Sequence, residues 1–129
     1  MSRFFPFQAG LMSYDLNFWR YEDESAAHDH QAVYERLSDG EFVENLREIP
    51  VDEIMNRITE VFSALGWTTE DEETWEGESG AFQIDISPQF LRFDCYGMDG
   101  EAMNQLIEIG TGFGLPLYDP QVYTRFGLN

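Results

Sequence analysis

The sequence predicts an α+β fold, a ferredoxin-like sandwich in which a four-stranded antiparallel sheet carries about three helices on one face. One observation behind this prediction is the pattern of residues 81–96, where apolar and polar residues alternate on both sides of Pro88-Gln89, as in a half-buried hairpin. The other is the order of elements, which reads strand, helix, helix, strand, strand, helix, strand. That order contains two strand–helix–strand halves around a central hairpin.

The composition indicates a folded chain. Of the 129 residues, 43% are hydrophobic and 16% are aromatic, which is more than a disordered acidic chain contains. Because Met12 precedes the first clear strand, we expect residues 1–11 to be an N-terminal extension and residues 12–129 to form a single domain. There is no apolar run of the roughly 18 residues that a membrane span needs, no convincing signal peptide and only one cysteine, Cys95. These features predict a cytoplasmic protein in which Cys95 is a buried thiol.

The first half of the chain predicts one strand and two helices. The strand covers residues 14–21, with Leu16 and Phe18 toward the core. Ser25 can cap a first helix that runs to about residue 37, because its oxygen accepts from the free N–H groups of the first turn. A second helix is expected over residues 51–65, where an apolar stripe ends at Gly66 in the position of a left-handed cap.

The second half contains the hairpin, a third helix and a last strand. A two-residue turn at Pro88-Gln89 sets Ile86 opposite Leu91 and Asp85 opposite Arg92, so that apolar residues share one face. Asp99 is the expected cap of the third helix, and residues 115–118 form a short last strand. Residues 67–80 are the most acidic segment, and their middle is expected to be a solvated loop.

The sheet face away from the helices is predicted to carry large aromatic side chains among polar and charged ones. Such a face is a candidate docking or dimer surface unless another segment covers it. Its members are Asp15, Asn17, Trp19, Tyr21, Gln83, Asp85, Arg92, Asp94 and Tyr96.

Charge is the strongest compositional feature. The chain has 25 acidic residues and seven basic ones, all arginine, for a net charge of −18. Such a field repels nucleic acid and anionic membranes, and no basic stripe is present to neutralise phosphates. It attracts a basic protein partner. The alternative interpretation is that the charge serves only solubility or adaptation to high salt.

The acidic segment predicts a binding site for such a partner. Dense carboxylates beside tryptophan are typical of an interface that captures a basic protein. The expected partner-binding residues are Trp67, Glu72, Glu73, Trp75 and Glu76, with Trp19 and Tyr21 on the sheet face as second choice. Two alternatives remain: a segment that is merely solvated, and a mimic of the phosphate backbone that occupies a DNA-binding protein.

No motif requires an enzyme, a metal or a cofactor. Nucleotide-binding glycine motifs and the nucleophile elbow are absent. His28 and His30 lie two residues apart in a predicted helix, so their imidazoles would not converge. We therefore expect no catalytic residue. The alternative functions are a small-molecule or metal-binding domain of weak or unknown activity, using Asp15, Asp94 and Asp119, and a dimeric structural protein paired through the sheet face.

Several blocks of sequence resemble a group of small, uncharacterised bacterial cytoplasmic proteins. These blocks are YDLNFW at residues 14–19, LSDGE at 37–41, IPVDEI at 49–54, LRFDCYGMDGEAMN at 91–104 and PLYDPQ at 116–121. The resemblance implies a compact α/β fold and an association with toxin and secretion loci, where immunity proteins are common. Together with the charge, it predicts a non-enzymatic immunity protein that occludes the active site of a basic toxin enzyme.

Overall fold

The computed structural model describes residues 13–126, which form three helices and an open seven-stranded antiparallel sheet. The predicted extension, residues 1–11, lies outside the described residues. The helices are α1 (His30–Ser38), α2 (Val51–Ala64) and α3 (Gly100–Gly112). The strands are β1 (Ser13–Phe18), β2 (Thr68–Thr69), β3 (Thr74–Gly77), β4 (Gly80–Ser87), β5 (Phe90–Tyr96), β6 (Leu117–Asp119) and β7 (Thr124–Phe126). Their order across the sheet is β2-β3-β4-β5-β1-β6-β7.

The central hairpin has the predicted register. Strands β4 and β5 are antiparallel, with Ile86 opposite Leu91 and Asp85 opposite Arg92. The strands are joined by the two residues Pro88 and Gln89. Strand β1 pairs with the free edge of β5 and also with β6, antiparallel to both. Consequently β1 runs parallel to β4, and β5 runs parallel to β6.

The prediction of four strands is wrong. Two segments that we had interpreted as a loop and as a tail form additional strands of the sheet. The acidic segment folds into the β2–β3 hairpin, and β3 pairs with β4 so that Trp75 lies opposite Phe82. At the other edge, β7 pairs with β6. The alternation of Thr74, Trp75 and Glu76 was the available strand signal, since it gives one buried side chain between two exposed ones.

Helices α2 and α3 cover one face of the sheet. Ile54, Ile58 and Phe62 form the buried stripe of α2, and the chain leaves this helix through Gly66 at φ +88°, as the sequence predicts. Asp99 caps α3, because its carboxylate accepts from the Ala102 amide at 2.8 Å. Both helices therefore start or end as their cap residues indicate.

Helix α1 packs on the opposite face, which corrects the prediction that all helices share one face. Its residue Leu37 belongs to a second cluster with Trp19, Phe90 and Tyr118. Each of these three is adjacent in sequence to a residue of the main core, because Trp19 follows Phe18, Phe90 precedes Leu91 and Tyr118 follows Leu117. Since successive side chains of a strand alternate between the two faces, these three point away from α2 and α3. The helix also begins later than expected, at His30, because Asp29 and not Ser25 caps it: the Asp29 carboxylate accepts from the Ala32 amide at 3.1 Å.

Candidate functional site

The two tryptophans predicted to anchor a partner from the acidic segment are buried. Trp75 is 1% exposed and stacks on Phe82 with an interplanar angle of 11°. Trp67 packs edge-on against Phe62 at 5.1 Å between ring centroids. Its indole also lies over Gly77, where a Cβ atom would fall 2.5 Å from the ring. Both tryptophans stabilise the fold by filling the space between α2 and the β2–β3–β4 edge.

Trp19 and Tyr21, the second-choice anchors, are also buried. They lie in the cluster under α1, where the Arg125 guanidinium sits 5.4 Å from the Trp19 ring and 4.6 Å from the Tyr21 ring. Arg125 donates to the Trp19 carbonyl at 2.8 Å and to the Glu24 carboxylate at 2.7 Å. The side chain of Arg125 therefore ties β7 to the end of β1.

Burial contradicts the anchor role of these four aromatic residues. A binding anchor contributes by losing contact with water when the partner arrives, and these rings have already lost it on folding. The sequence signal was ambiguous, because a tryptophan beside acidic residues reads the same whether it faces a partner or the core. The three glutamates predicted to bind a partner, Glu72, Glu73 and Glu76, are exposed.

The acidic hairpin, defined as residues 68–77, is built around an internal carboxylate. The side chain of Asp71 accepts from the Glu73 amide at 2.9 Å and from the Thr74 amide at 2.8 Å. Thr69 closes the other side, since its hydroxyl donates to the Thr74 carbonyl at 2.6 Å and accepts from the Glu72 amide at 2.8 Å. The Thr74 and Glu73 amides lower the pKa of Asp71. This segment is therefore an ordered turn and not the solvated loop that we predicted.

The turn holds its remaining carboxylates outward. Glu72 adopts a left-handed backbone at φ +66°, which a non-glycine residue rarely does, and Trp75 Nε1 donates to its carbonyl at 3.3 Å. Glu70, Glu72, Glu73 and Glu76 are all exposed, and none of them forms an ion pair with a cation in the part of the chain that the structure describes. An open cavity of about 430 Å³ lies beside them, lined by Thr68, Thr69, Glu70, Asp71, Thr74 and Glu76.

Helix α1 covers only part of the second sheet face. It packs over the end of the sheet that carries Trp19, Phe90 and Tyr118. The remaining part, which we call the open half-face, is contacted by α1 through Tyr34, whose hydroxyl donates to the Asp15 carboxylate at 3.5 Å. Its side chains come from β1, β3, β4 and β5 and are Asp15, Thr74, Glu76, Gln83, Asp85, Arg92, Asp94 and Tyr96.

Two carboxylates share one arginine on the open half-face. Asp15 and Asp94 lie directly opposite each other on β1 and β5. Arg92 donates from Nε to Asp94 at 2.9 Å and reaches Asp15 with a terminal nitrogen at 3.1 Å. Burial raises the pKa of Asp15, Arg92 opposes this rise, and the neighbouring Asp94 adds to it. Asp85, which is opposite Arg92 in the register, forms no ion pair with a described cation.

Asp15 also borders a cleft with Asp119. The cleft has a volume of about 200 Å³ and is lined by Ser13, Asp15, Asp119, Pro120 and Gln121. Asp119 is 8% exposed, and its Oδ1 atom accepts from the Gln121 amide at 2.9 Å. Three carboxylates were predicted for a ligand site. The structure places Asp15 beside Asp94 across β1 and β5, and it places Asp15 and Asp119 in the same cleft.

The two histidines take separate structural roles. The His30 Nδ1 atom is 2.8 Å from the Tyr21 hydroxyl, and the His28 ring stacks on the Tyr21 ring at 3.5 Å. Burial, followed by the charges of Arg125 and His28, lowers the pKa of His30. Among residues 13–126, no group of three or more His, Cys, Asp or Glu residues is arranged to hold a metal ion. Cys95 is buried, and this burial raises the pKa of its thiol.

Sequence reasoning placed Tyr96 on the sheet face away from the helices, but it missed the exposed Tyr123. Tyr96 is 49% exposed on the open half-face, and Tyr123 is 67% exposed in the β6–β7 turn. The alternation of β5 identified Tyr96, whereas Tyr123 carries no periodic signal. In the described part of the chain, no helix is both long and apolar enough to cross a membrane.

In comparisons with known proteins, no protein family, no curated protein and no solved structure matches the chain. The resemblance to small bacterial cytoplasmic proteins stays a prediction.

Proposed function

We propose that this protein is a non-enzymatic immunity protein, which binds a basic toxin enzyme in the cytoplasm and blocks its active site. The observation that carries the proposal is the acidic hairpin. Its turn is ordered by Asp71 and Thr69, and it presents Glu70, Glu72 and Glu73 without a described cation to neutralise them. Enzymes that act on anionic substrates present arginine and lysine side chains, so a rigid set of carboxylates is complementary to their active sites.

The order of the hairpin matters for affinity. A segment that is already held in one conformation loses little entropy when it binds, so more of the electrostatic attraction appears as binding free energy. The left-handed Glu72 supports this argument, because such a conformation persists only where surrounding contacts hold it. Since the tryptophans of this region are buried, the attraction rests on exposed charge, and we expect it to weaken at high salt.

The experiment is an affinity pull-down followed by an inhibition assay. Tagged wild type, Glu72→Arg/Glu73→Arg and the matched control Glu48→Arg/Glu108→Arg are incubated with host-cell lysate and washed at low and high salt. Both variants change the net charge by +4, and all four glutamates are exposed. We expect wild type and control to retain one basic protein at low salt and to inhibit its activity. The hairpin variant should do neither.

Retention of the same partner by the hairpin variant would refute the role of the hairpin. If wild type retains no basic protein, or if it binds an enzyme without inhibiting it, the immunity function is wrong.

A second candidate function is a small-molecule or metal-binding domain. The observation in its favour is that Asp15 and Asp119 line one cleft and that Asp94 lies beside Asp15. Calorimetric titration with divalent metals and with nucleotides separates the two functions, since only the second predicts heat. The dimeric structural alternative, paired through the sheet face, predicts a twofold mass in light scattering.

We also infer that the fold is an elaborated ferredoxin-like sandwich. The support is the arrangement of the four central strands: β5 separates the parallel pair β1 and β4, and β1 separates the parallel pair β5 and β6. Two interleaved strand–helix–strand units of this kind define that topology. On this interpretation, β2, β3 and β7 are additions at the edges and α1 is an addition on the second face.

A further inference from the structure

We propose that α1 is an acid-released lid: protonation of His30 detaches this helix from the second face of the sheet and opens the aromatic cluster beneath it to water. The aromatic cluster consists of Trp19, Tyr21, Phe90 and Tyr118. The lid is a property of the fold, and it does not depend on the proposed immunity function.

Helix α1 has little apolar contact with the sheet. Only Leu37 of its nine residues is buried, whereas seven of the 13 residues of α3 are buried. Val33 and Tyr34 are partly buried against the second cluster. Because hydrophobic stabilisation scales with the apolar area that is buried, α1 receives less of it than α3 does. An element with few buried apolar contacts opens at a lower free energy than the whole domain.

Two polar contacts hold the first turn of α1 to the sheet. The Tyr21 hydroxyl lies 2.8 Å from Nδ1 of His30, and the Tyr118 hydroxyl donates to Oε1 of Gln31 at 2.6 Å. A neutral imidazole can accept from Tyr21 at Nδ1, but a protonated one has only donors. Protonation of His30 therefore forces the Tyr21 hydroxyl to accept, and the hydroxyl proton loses its acceptor.

The surroundings of His30 disfavour an added positive charge. The Arg125 guanidinium lies 4.6 Å from the centre of the Tyr21 ring, and the His28 ring stacks on the same ring at 3.5 Å. Burial, followed by the charges of Arg125 and His28, lowers the pKa of His30, whereas the two nearby carboxylates oppose this. The titratable and charged groups that face His30 from the neighbouring elements are Tyr21, Glu24, His28, Asp29, Tyr118 and Arg125.

Two buried polar atoms on the face that α1 covers have no hydrogen-bond partner in the described part of the chain. They are Oδ1 of Asn17, a fully buried residue, and Nε of Arg125. Asn17, Tyr118 and Arg125 form one row across β1, β6 and β7. A buried polar atom without a partner destabilises the closed form, because water cannot reach it. Opening of α1 would hydrate this row and so favours release of the lid.

Proton linkage sets the direction and the limit of the acid effect. In the open form His30 regains its ordinary pKa of 6.5, which is above its pKa in the closed form. The open form therefore binds the proton more readily, and its population rises as the pH falls below 6.5. Between pH 7 and pH 5 the ratio of open to closed form increases by at most about 25-fold, the limit for a closed form that stays unprotonated.

Amide hydrogen exchange at pH 7 and pH 5 tests the lid in wild type, His30→Gln and the matched control His28→Gln. Rates are converted to protection factors, which removes the intrinsic pH dependence of exchange. Glutamine can accept from the Tyr21 hydroxyl but does not titrate. In wild type, we expect α1 to be roughly tenfold or more less protected than α2 at both pH values, and its protection should respond less to low urea concentrations.

The protection of α1 in wild type and in His28→Gln should fall by about 5- to 25-fold from pH 7 to pH 5, and in His30→Gln by less than about twofold. Equal protection of α1 and α2 would mean that α1 opens only with the whole domain and would overturn the proposal. A pH-independent α1 in wild type, or an unchanged acid effect in His30→Gln, would also overturn it.

Tyr118→Phe gives a second measurement that leaves His30 in place. It removes the hydroxyl that donates to Gln31, so the protection of α1 should fall by a similar factor at both pH values while the acid effect keeps its size. If the protection of α1 in this variant equals that of wild type, polar contacts do not hold the helix and the lid mechanism is wrong.

Discussion

Gln89 holds the main chain of Val43 with both ends of its side-chain amide. Its nitrogen donates to the Val43 carbonyl at 2.8 Å, and its oxygen accepts from the Val43 amide at 2.9 Å. Gln89 lies in the β4–β5 turn and is 6% exposed. The Gln89 side chain thus satisfies the backbone amide and carbonyl of Val43 as a neighbouring strand would. It holds the segment between α1 and α2 against the central hairpin.

Replacing Gln89 with alanine should destabilise the protein by about 2–4 kcal/mol, because two buried backbone groups would each lose a partner at a cost of about 1–3 kcal/mol. Urea unfolding followed by circular dichroism measures this loss. The matched control is Gln83→Ala, an exposed glutamine of the same hairpin, for which we expect a change within about 0.5 kcal/mol. A similar loss in both variants would show that the contacts to Val43 contribute nothing specific.

Two glycine-to-alanine substitutions should change stability in opposite directions. A Cβ atom at Gly77 would lie 2.5 Å from the Trp67 ring, whereas a Cβ atom at Gly112 in α3 would meet nothing within 4 Å. We expect Gly77→Ala to cost about 1–3 kcal/mol through overpacking. Gly112→Ala should stabilise by about 0.4–1 kcal/mol, because alanine restricts the unfolded chain. Thermal unfolding of both variants checks the signs, and a stabilised Gly77→Ala would contradict the packing described here.

Local signals in the sequence predicted the parts of the fold that depend on local chemistry. The turn at Pro88-Gln89 fixes the register of Ile86 with Leu91, because a two-residue connection allows one pairing. Asp99 and Gly66 are cap residues, and each fixes the local backbone directly. The predicted start of α3 at Asp99 and the predicted end of α2 before Gly66 are both confirmed. Strand number could not be predicted in this way. Whether Trp75 lies in a loop or in a strand depends on its packing against Phe82 and Phe62, which local periodicity does not report.

The candidate site was harder to predict than the fold. Exposure of the glutamates followed from their charge, since an unpaired carboxylate is rarely buried. The burial of Trp19 could not be inferred, because it requires α1 to cross to the second face. The cleft between Asp15 and Asp119 lies between two strands that are about a hundred residues apart in the sequence. It forms because β6 pairs with β1. The alternation of apolar and polar residues along one strand does not predict which distant strand lies beside it.

Stability should fall between pH 7 and pH 5 because of His30. Burial and the nearby charges of Arg125 and His28 lower the pKa of His30 from 6.5, so the unfolded state binds its proton more readily than the folded state. The stabilisation is therefore complete above pH 6.5 and is lost as pH falls below that value. His30→Gln should flatten the curve of unfolding free energy against pH in this range.

The control for this measurement is Glu24→Gln. Burial tends to raise the pKa of Glu24, but hydrogen bonds from Arg125 and the Tyr21 amide outweigh burial and lower it from 4.5. The contribution of Glu24 is therefore lost at pH values below 4.5, and the variant should keep the fall between pH 7 and pH 5. A flat curve in wild type would show that His30 is not responsible for any acid sensitivity.

Arg125→Lys should destabilise the protein although it keeps the charge. The arginine fork reaches Glu24 and the Trp19 carbonyl together while lying over the Tyr21 ring. Lysine has no planar fork and cannot make these contacts together, and we expect a loss of about 1.5–3 kcal/mol. Arg57→Lys, at an exposed pair with Glu60, should change stability by less than about 0.5 kcal/mol. Equal effects would mean that the Arg125 contacts are no stronger than a surface ion pair.

Asp71 should control the order of the acidic hairpin and, through it, partner binding. Its carboxylate accepts from the amides of Glu73 and Thr74, so Asp71→Ala should speed hydrogen exchange at those two amides and leave the amides of α2 unchanged. The exposed glutamates remain in this variant, and therefore any loss of partner affinity would come from lost order. Asp52→Ala, with the same charge change on the surface of α2, is the control. If Asp71→Ala frees the two amides and still binds as wild type does, charge alone recruits the partner and preorganisation of the hairpin is not part of the mechanism.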